Sequence, residues 1–173
     1  VPVLPGAAYP ELIRAALADE GSIHIRLLYY LAPLRVPDGK QAEIRLYLNR
    51  RKEGDKDGYD IRIQSRLVNE KRWDMHVMGE TLSPAKPSPL PQKLPPAKMV
   101  SSKQWHEEIR LDPSRVKPQT GYVSVGPRWN MKRHIRKNRD QAIAELELAQ
   151  NFHTDLDGLF LHPAMLDAAF GLR

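Results

Sequence analysis

His162 and Pro163 stand immediately before an apolar run that carries a single carboxylate, Asp167. Proline suits the first position of a helix, where its missing N–H has no intrahelical partner to lose. Asp167 then falls one turn inside that helix, among Met165, Leu166, Ala168, Ala169 and Phe170. Apolar surroundings disfavour the ionised form and predict a raised pKa. A carboxyl that keeps its proton near neutral pH is what a general acid requires. The same pattern also describes an ordinary helix with one solvated carboxylate, so the local residues leave both readings open.

The elements that would position such a group fall on either side of a proline-rich segment. Residues 83–98 hold prolines at 84, 87, 89, 91, 95 and 96 and few large apolar side chains, which predicts an extended spacer. Before it, Leu12, Ile13, Ala15, Ala16 and Leu17 form a helical stripe over 9–20 that Gly21 stops. Three strand-like runs follow, at 22–36, 41–49 and 59–82. In the second, Ile44, Leu46 and Leu48 alternate with Arg45, Tyr47 and Asn49. Asp38-Gly39 and Asp57-Gly58 read as the turns between runs. After the spacer, strand-like segments at 104–111 and 122–148 lead to the Pro163 helix. Periodicity therefore supports an α+β protein with antiparallel sheet.

Composition narrows the class without choosing a chemistry. A chain of 173 residues, 41% hydrophobic and 28% charged, describes a globular protein with one sizeable core or two small ones. No apolar run approaches the ~20 residues of a membrane span, and no charged leader precedes an apolar segment, so the expectation is a cytoplasmic protein without a membrane partner. Zero cysteines exclude disulfides, cysteine nucleophiles and thiolate metal sites. The net charge of +6 concentrates in Lys132, Arg133, His134, Arg136, Lys137 and Arg139, with a smaller group at Arg50-Arg51-Lys52. Such clusters can neutralise phosphates. No nucleic-acid motif accompanies them, and a solvated strand face or a docking patch for an acidic carrier protein is the expected role. His24, His76, His106, His134 and His153 lack the spacing and carboxylate company of a metal site or a catalytic base, so neither is assigned to them and no metal is predicted.

Three stretches in order resemble motifs of one family. The segment His162-Pro163-Ala164-Met165-Leu166-Asp167 resembles the HPxxLD motif of the dehydratase domains of modular polyketide synthases. Val3-Leu4-Pro5-Gly6-Ala7-Ala8-Tyr9 resembles the end of that family's HxxxGxxxxP motif with the overlapping PGxxY. Val125-Gly126-Pro127-Arg128-Trp129 resembles YGPxF, with Val for Tyr and Trp for Phe. Leu27 to Leu34 looks like the family's strand leading into an APL turn. The resemblance covers nearly the whole chain.

That resemblance implies a double hot-dog: two antiparallel sheets, each wrapping a central helix, with the second half incomplete in a chain lacking both ends. The halves would be 1–82 and 102–173, joined by the linker 83–101. It implies dehydration of a 3-hydroxyacyl thioester to the 2,3-enoyl thioester, with no cofactor beyond the phosphopantetheine of the acyl carrier protein that holds the substrate. A histidine in the first half would remove the C2 proton and Asp167 would protonate the departing hydroxyl. Counting back from Pro5 puts that histidine upstream of Val1. Pro5, Gly6, Tyr9, Gly126, Pro127, His162 and Gly171 would bind or position the substrate, with amides at the start of the Tyr9 helix stabilising charge on the thioester oxygen.

Gly171 departs from the family, many of whose members carry Gln or His four residues after the aspartate. With GPRW in place of GPxF, it resembles domains from synthases whose acyltransferases are supplied separately. Related domains there also catalyse oxa-Michael cyclisation or double-bond shifts, or are silent scaffolds for β-branching. The implied partners are the acyl carrier protein and neighbouring domains such as a ketosynthase. Homodimerisation is left open.

Overall fold

The computed structural model describes residues 1–21, 24–53, 56–83, 105–112, 125–139 and 141–172. Contacts divide the chain into two compact units, Val1–Pro89 and Leu90–Arg173. The spacer expected at 83–101 lies, apart from residue 83, outside the described residues.

In the first unit, helix α1 (Ala8–Ala16) is followed by four strands: β1 (His24–Tyr30), β2 (Ala42–Glu53), β3 (Lys56–Leu67) and β4 (Asp74–Ser83). They form one antiparallel sheet in the order β1-β4-β3-β2. Tyr9, Ile13 and Leu17 lie four residues apart, so they share one helical face. That face is buried with Tyr59, Ile61, Ile63 and Val77 of the two central strands. Leu46 and Leu48 pack against the edge of this core, as their alternation predicts, whereas Ile44 is 45% exposed.

Three local expectations are corrected. The helix predicted over 9–20 is α-helical only to Ala16. A 3-10 turn at Ala18–Glu20 completes it, and Gly21 ends it at φ 77°. The run at 59–82 is two strands, because the chain reverses at Val68-Asn69 with Asn69 at φ 76°. Asparagine reaches this left-handed region more readily than other non-glycine residues. Asp57-Gly58 is not a turn but lies inside β3, where Gly58 pairs with both Arg51 and Leu82. A Cβ there would sit 2.1 Å from the Thr81 carbonyl oxygen, so the glycine serves close strand approach.

The second unit repeats the plan on a smaller scale. Strands β5 (Glu107–Arg110), β6 (Lys132–Lys137) and β7 (Ala142–Leu146) form an antiparallel sheet, and helix α2 (Pro163–Phe170) follows. The segment read as strand-like over 122–148 thus holds a 3-10 turn at Pro127–Trp129 and the β6–β7 hairpin; residues 113–124 lie outside the described residues. Met131, Leu148, Ala164 and Ala168 make the core, with Trp129, Leu146, Phe152 and Met165 packed on it. Alanine at 164 and 168 places two small side chains on the buried face of α2, which lets the helix lie close to its neighbours.

All of the basic cluster but Arg139 lies on β6, and several of its side chains are used within the unit. Arg133 pairs with Glu147, His134 with Glu108, and Lys132 Nζ donates to the Gly171 carbonyl. No helix among the described residues is long and apolar enough to cross a membrane.

Candidate functional site

Helix α2 begins as the sequence predicts, with Pro163 at its first position. The cap is His162, whose ring is buried and whose Nδ1 accepts a 3.4 Å hydrogen bond from the Met165 amide. A ring nitrogen that accepts there carries no proton, which puts the neutral ring's hydrogen on Nε2. Nε2–H then points at Asp155 Oδ2, 3.5 Å away. Asp155 sits in a 3-10 stretch, Gln150–Asp157, that the sequence reading left unassigned. Arg128 grips the same carboxylate through Nε at 2.5 Å and Nη2 at 3.3 Å. The guanidinium, and after it His162, hold the Asp155 carboxyl below the usual aspartate range. Arg128 in turn lies over the Phe152 ring, 4.4 Å from its centroid.

Asp167 is half-buried, and Trp129 Nε1 donates to its Oδ2 at 2.8 Å. The surroundings are less enclosing than the apolar run suggested, because Ala169 is exposed and Phe170 is 66% exposed. Gly126 and Pro127 open the turn that presents these two side chains. Gly126 is extended (φ −73°, ψ 173°) and its carbonyl accepts the Trp129 amide, while Pro127 occupies the first 3-10 position. Arg128 and Trp129, adjacent in sequence, therefore reach the start of α2 and the carboxylate one turn inside it.

Gly171 is not an interior helix residue. It is the C-cap of α2 at φ −85°, and its amide donates to the Asp167 carbonyl at 3.1 Å. An open groove of about 860 Å³ lies at this end of α2, between Ala169, Phe170, Leu172 and the β6–β7 hairpin. Neither Asp167 nor His162 lines it.

In the first unit Pro5, Gly6 and Tyr9 come together with Val3, Leu4, Tyr30, Leu31, Ala32 and Pro33 around an open recess of about 340 Å³. Tyr9 meets Tyr30 edge to face, with ring centroids 5.9 Å apart. Its hydroxyl is buried without a hydrogen-bond partner among the described residues. Burial, then the neighbouring Tyr30, pushes its pKa up, which keeps the phenol protonated. The expectation for the helix amides needs adjustment, since those of Ala8 and Tyr9 are taken by the Pro5 and Gly6 carbonyls. Pro10 has no N–H, so the donors left at this end are those of Gly6 and Ala7.

The APL stretch is tied down by His76. Its Nδ1–H donates to the Ala32 carbonyl at 3.1 Å, and the Ser65 hydroxyl donates to Nε2 at 2.7 Å. A carbonyl can only accept, which fixes this tautomer. His153 likewise ties to the Leu148 carbonyl, and His134 to Glu108.

Two helices laid on antiparallel sheets, the second carrying a capped histidine and a held aspartate, define a hot-dog-like α+β fold. The chain matches the polyketide synthase dehydratase N-terminal domain over residues 84–173, and it belongs to that family. It is 24% identical to polyketide synthase PksN of Bacillus subtilis (strain 168) and 28% identical to polyketide synthase GfsB of Streptomyces halstedii. These matches cover 97% and 96% of this chain and 3% of each synthase. Among solved structures it is similar to the dehydratase domain from the CurK module of the curacin synthase, with TM-score 0.75 and 18% identity over 97% of this chain and 57% of that one. It is also similar to the dehydratase domain from the terminal module of the rifamycin synthase, with TM-score 0.74 and 21% identity over 97% and 59%. The bifunctional dehydratase-cyclase domain in ambruticin biosynthesis matches with TM-score 0.67 and 23% identity over 97% and 58%. The chain thus spans somewhat more than half the length of these structures.

Sequence reasoning missed Trp129, Arg128 and Asp155. Trp129 was visible as a departure from the YGPxF pattern, and the departure itself was the signal: tryptophan adds an N–H donor that phenylalanine lacks.

Proposed function

We propose that this chain supplies the acid of a dehydratase that converts a 3-hydroxyacyl thioester on an acyl carrier protein into the 2,3-enoyl thioester and water. The observation that carries this reading is Asp167, half-buried one turn into α2, with one oxygen held by Trp129 and the helix start capped by His162. In the reaction a base takes the C2 proton, the C2–H electron pair forms the new double bond, and the C3–O bond breaks. The hydroxyl leaves as water with the proton that Asp167 delivers. Phosphopantetheine carries the substrate, no further cofactor is needed, and the partners are the carrier protein and adjoining synthase domains.

The test is turnover by the intact synthase module that contains this chain. Its carrier domain is loaded with a 3-hydroxyacyl group and followed by mass spectrometry of the bound acyl chain. Loss of one water supports the dehydratase. An acyl chain that is unchanged refutes it in favour of a silent scaffold, and a product of unchanged mass with a new ring or a moved double bond refutes it in favour of a cyclase or isomerase.

A further inference from the structure

We propose that Trp129 is the positioning residue of this reaction, holding Asp167 Oδ2 so that the transferable proton is favoured on Oδ1. This rests on the dehydratase reading and goes beyond it. The indole Nε1–H lies 2.8 Å from Oδ2. Indole nitrogen is a donor only. Oδ2 therefore accepts, and because the carbonyl oxygen of a protonated carboxyl is its better acceptor, a proton on the group is favoured on Oδ1. A carboxyl in water has two equivalent oxygens and free rotation about its last bond. A donor-only partner restricts both freedoms.

Three further features make Trp129 the group that does this. The next residue on the same helical face, Gly171, has no side chain to offer from one turn further along. The turn bearing Trp129 is itself fixed, since Arg128 pairs with Asp155, and Asp155 meets the His162 ring that caps α2. Trp129 also packs on the Met131, Leu148, Ala164 and Ala168 core. The indole is thus located by backbone and ring contacts independent of the carboxylate it holds.

The experiment is a double-mutant cycle in the intact synthase module, using Trp129→Phe, Gly171→Gln and the pair. Trp129→Phe keeps an aromatic ring on the core while removing the donor and part of the indole's bulk. Gly171→Gln restores a donor from the other side of Asp167. There is room for it, since a Cβ at 171 would have its nearest contact at 3.4 Å, with the movable Lys132 Nζ. Loss of a hydrogen bond to a carboxyl that gains charge as it gives up its proton predicts a fall in kcat of about 10- to 100-fold for Trp129→Phe, with KM nearly unchanged. In the double variant kcat recovers most of that loss, and this recovery exceeds any change that Gly171→Gln makes alone, where Oδ2 is already held.

A Trp129→Phe enzyme with wild-type kcat overturns the assignment, as does a double variant no faster than Trp129→Phe. A gain from Gly171→Gln alone as large as the loss expected for Trp129→Phe overturns it too, and that arm stands even if the Phe variant folds poorly. Absence of dehydration by the wild-type module would instead sink the dehydratase reading, a result this cycle cannot be confused with.

Discussion

Asp167→Asn and Asp167→Ala separate the chemistry of the carboxyl from its part in holding the fold. Asparagine keeps an oxygen that can accept the Trp129 indole N–H at the 2.8 Å seen for Oδ2, so the turn at Pro127–Trp129 stays attached to α2. Alanine leaves that N–H without a partner beside a half-buried helix. An unsatisfied donor costs about 1–3 kcal/mol when fully buried, and the partial exposure of Trp129 places the effect near about 1 kcal/mol. Neither variant can deliver a proton, and removal of a general acid predicts a loss of about 10²–10⁴-fold, equivalent to about 3–5 kcal/mol of barrier. The two quantities differ enough to be read apart. Single-turnover dehydration on a loaded carrier domain measures the first, and a denaturation midpoint of the same protein measures the second. The expected pattern is two inactive variants of which only alanine is less stable. Wild-type turnover by a folded Asn variant would refute the acid role, and equal stability of the Asn and Ala variants would refute the hydrogen bond from Trp129.

His162→Ala removes the α2 cap and a buried ring, and should lower stability by about 1–2 kcal/mol in a denaturant titration; His162→Asn, which keeps a capping acceptor, should recover part of it. An Ala variant as stable as wild type would remove His162 from the capping role. Because Arg128 and then His162 depress the Asp155 carboxyl in the folded protein, its contribution is present above the ordinary aspartate range and is lost as pH falls through the depressed value. Melting temperature should therefore drop below about pH 4, and Asp155→Asn should flatten that limb; an unchanged limb would refute the pairing. Gly79→Ala would place a Cβ 2.3 Å from the Leu27 carbonyl oxygen in the middle of the first sheet. It should cost about 1–3 kcal/mol or prevent folding, and a wild-type midpoint would show that β1 and β4 are not so close.

The parts of the fold legible in the sequence were those written in side-chain periodicity. Leu12, Ile13 and Leu17 announce α1, and Leu46 and Leu48 announce the inward face of β2, because burial rewards a regular spacing. Turns were legible only where glycine marked a reversal, as at Gly39, which adopts φ 71°. Asp57-Gly58 misled because the same residue type also serves close strand approach. Asn69 hid a reversal because no glycine or proline accompanied it. At the site, motif resemblance located His162 and Asp167 but not their partners. Trp129 is 38 residues from Asp167, and Asp155 is 27 from Arg128. Pairs so far apart leave no periodic trace, and Asp155 lies in a 3-10 stretch with no pattern of its own.

The two units hold their helices by different physics, and this decides where substitutions will be felt. Helix α1 is seated by large side chains, with Ile13, Ile61, Ile63 and Val77 at or near zero exposure. Burial of that kind is strong but non-directional, fixing that the helix is packed more than where any one atom points. Around α2 the buried set is small, with two alanines contributed by the helix itself. Its orientation rests instead on directional contacts: the His162 cap, the Arg128–Asp155 pair and the Trp129–Asp167 hydrogen bond. For the acid role proposed for Asp167, an aimed oxygen matters more than extra burial. Truncating Ile13 or Ile63 should therefore unfold the first unit before any step of chemistry changes. Removing the Trp129 donor should reduce turnover while the second unit stays folded.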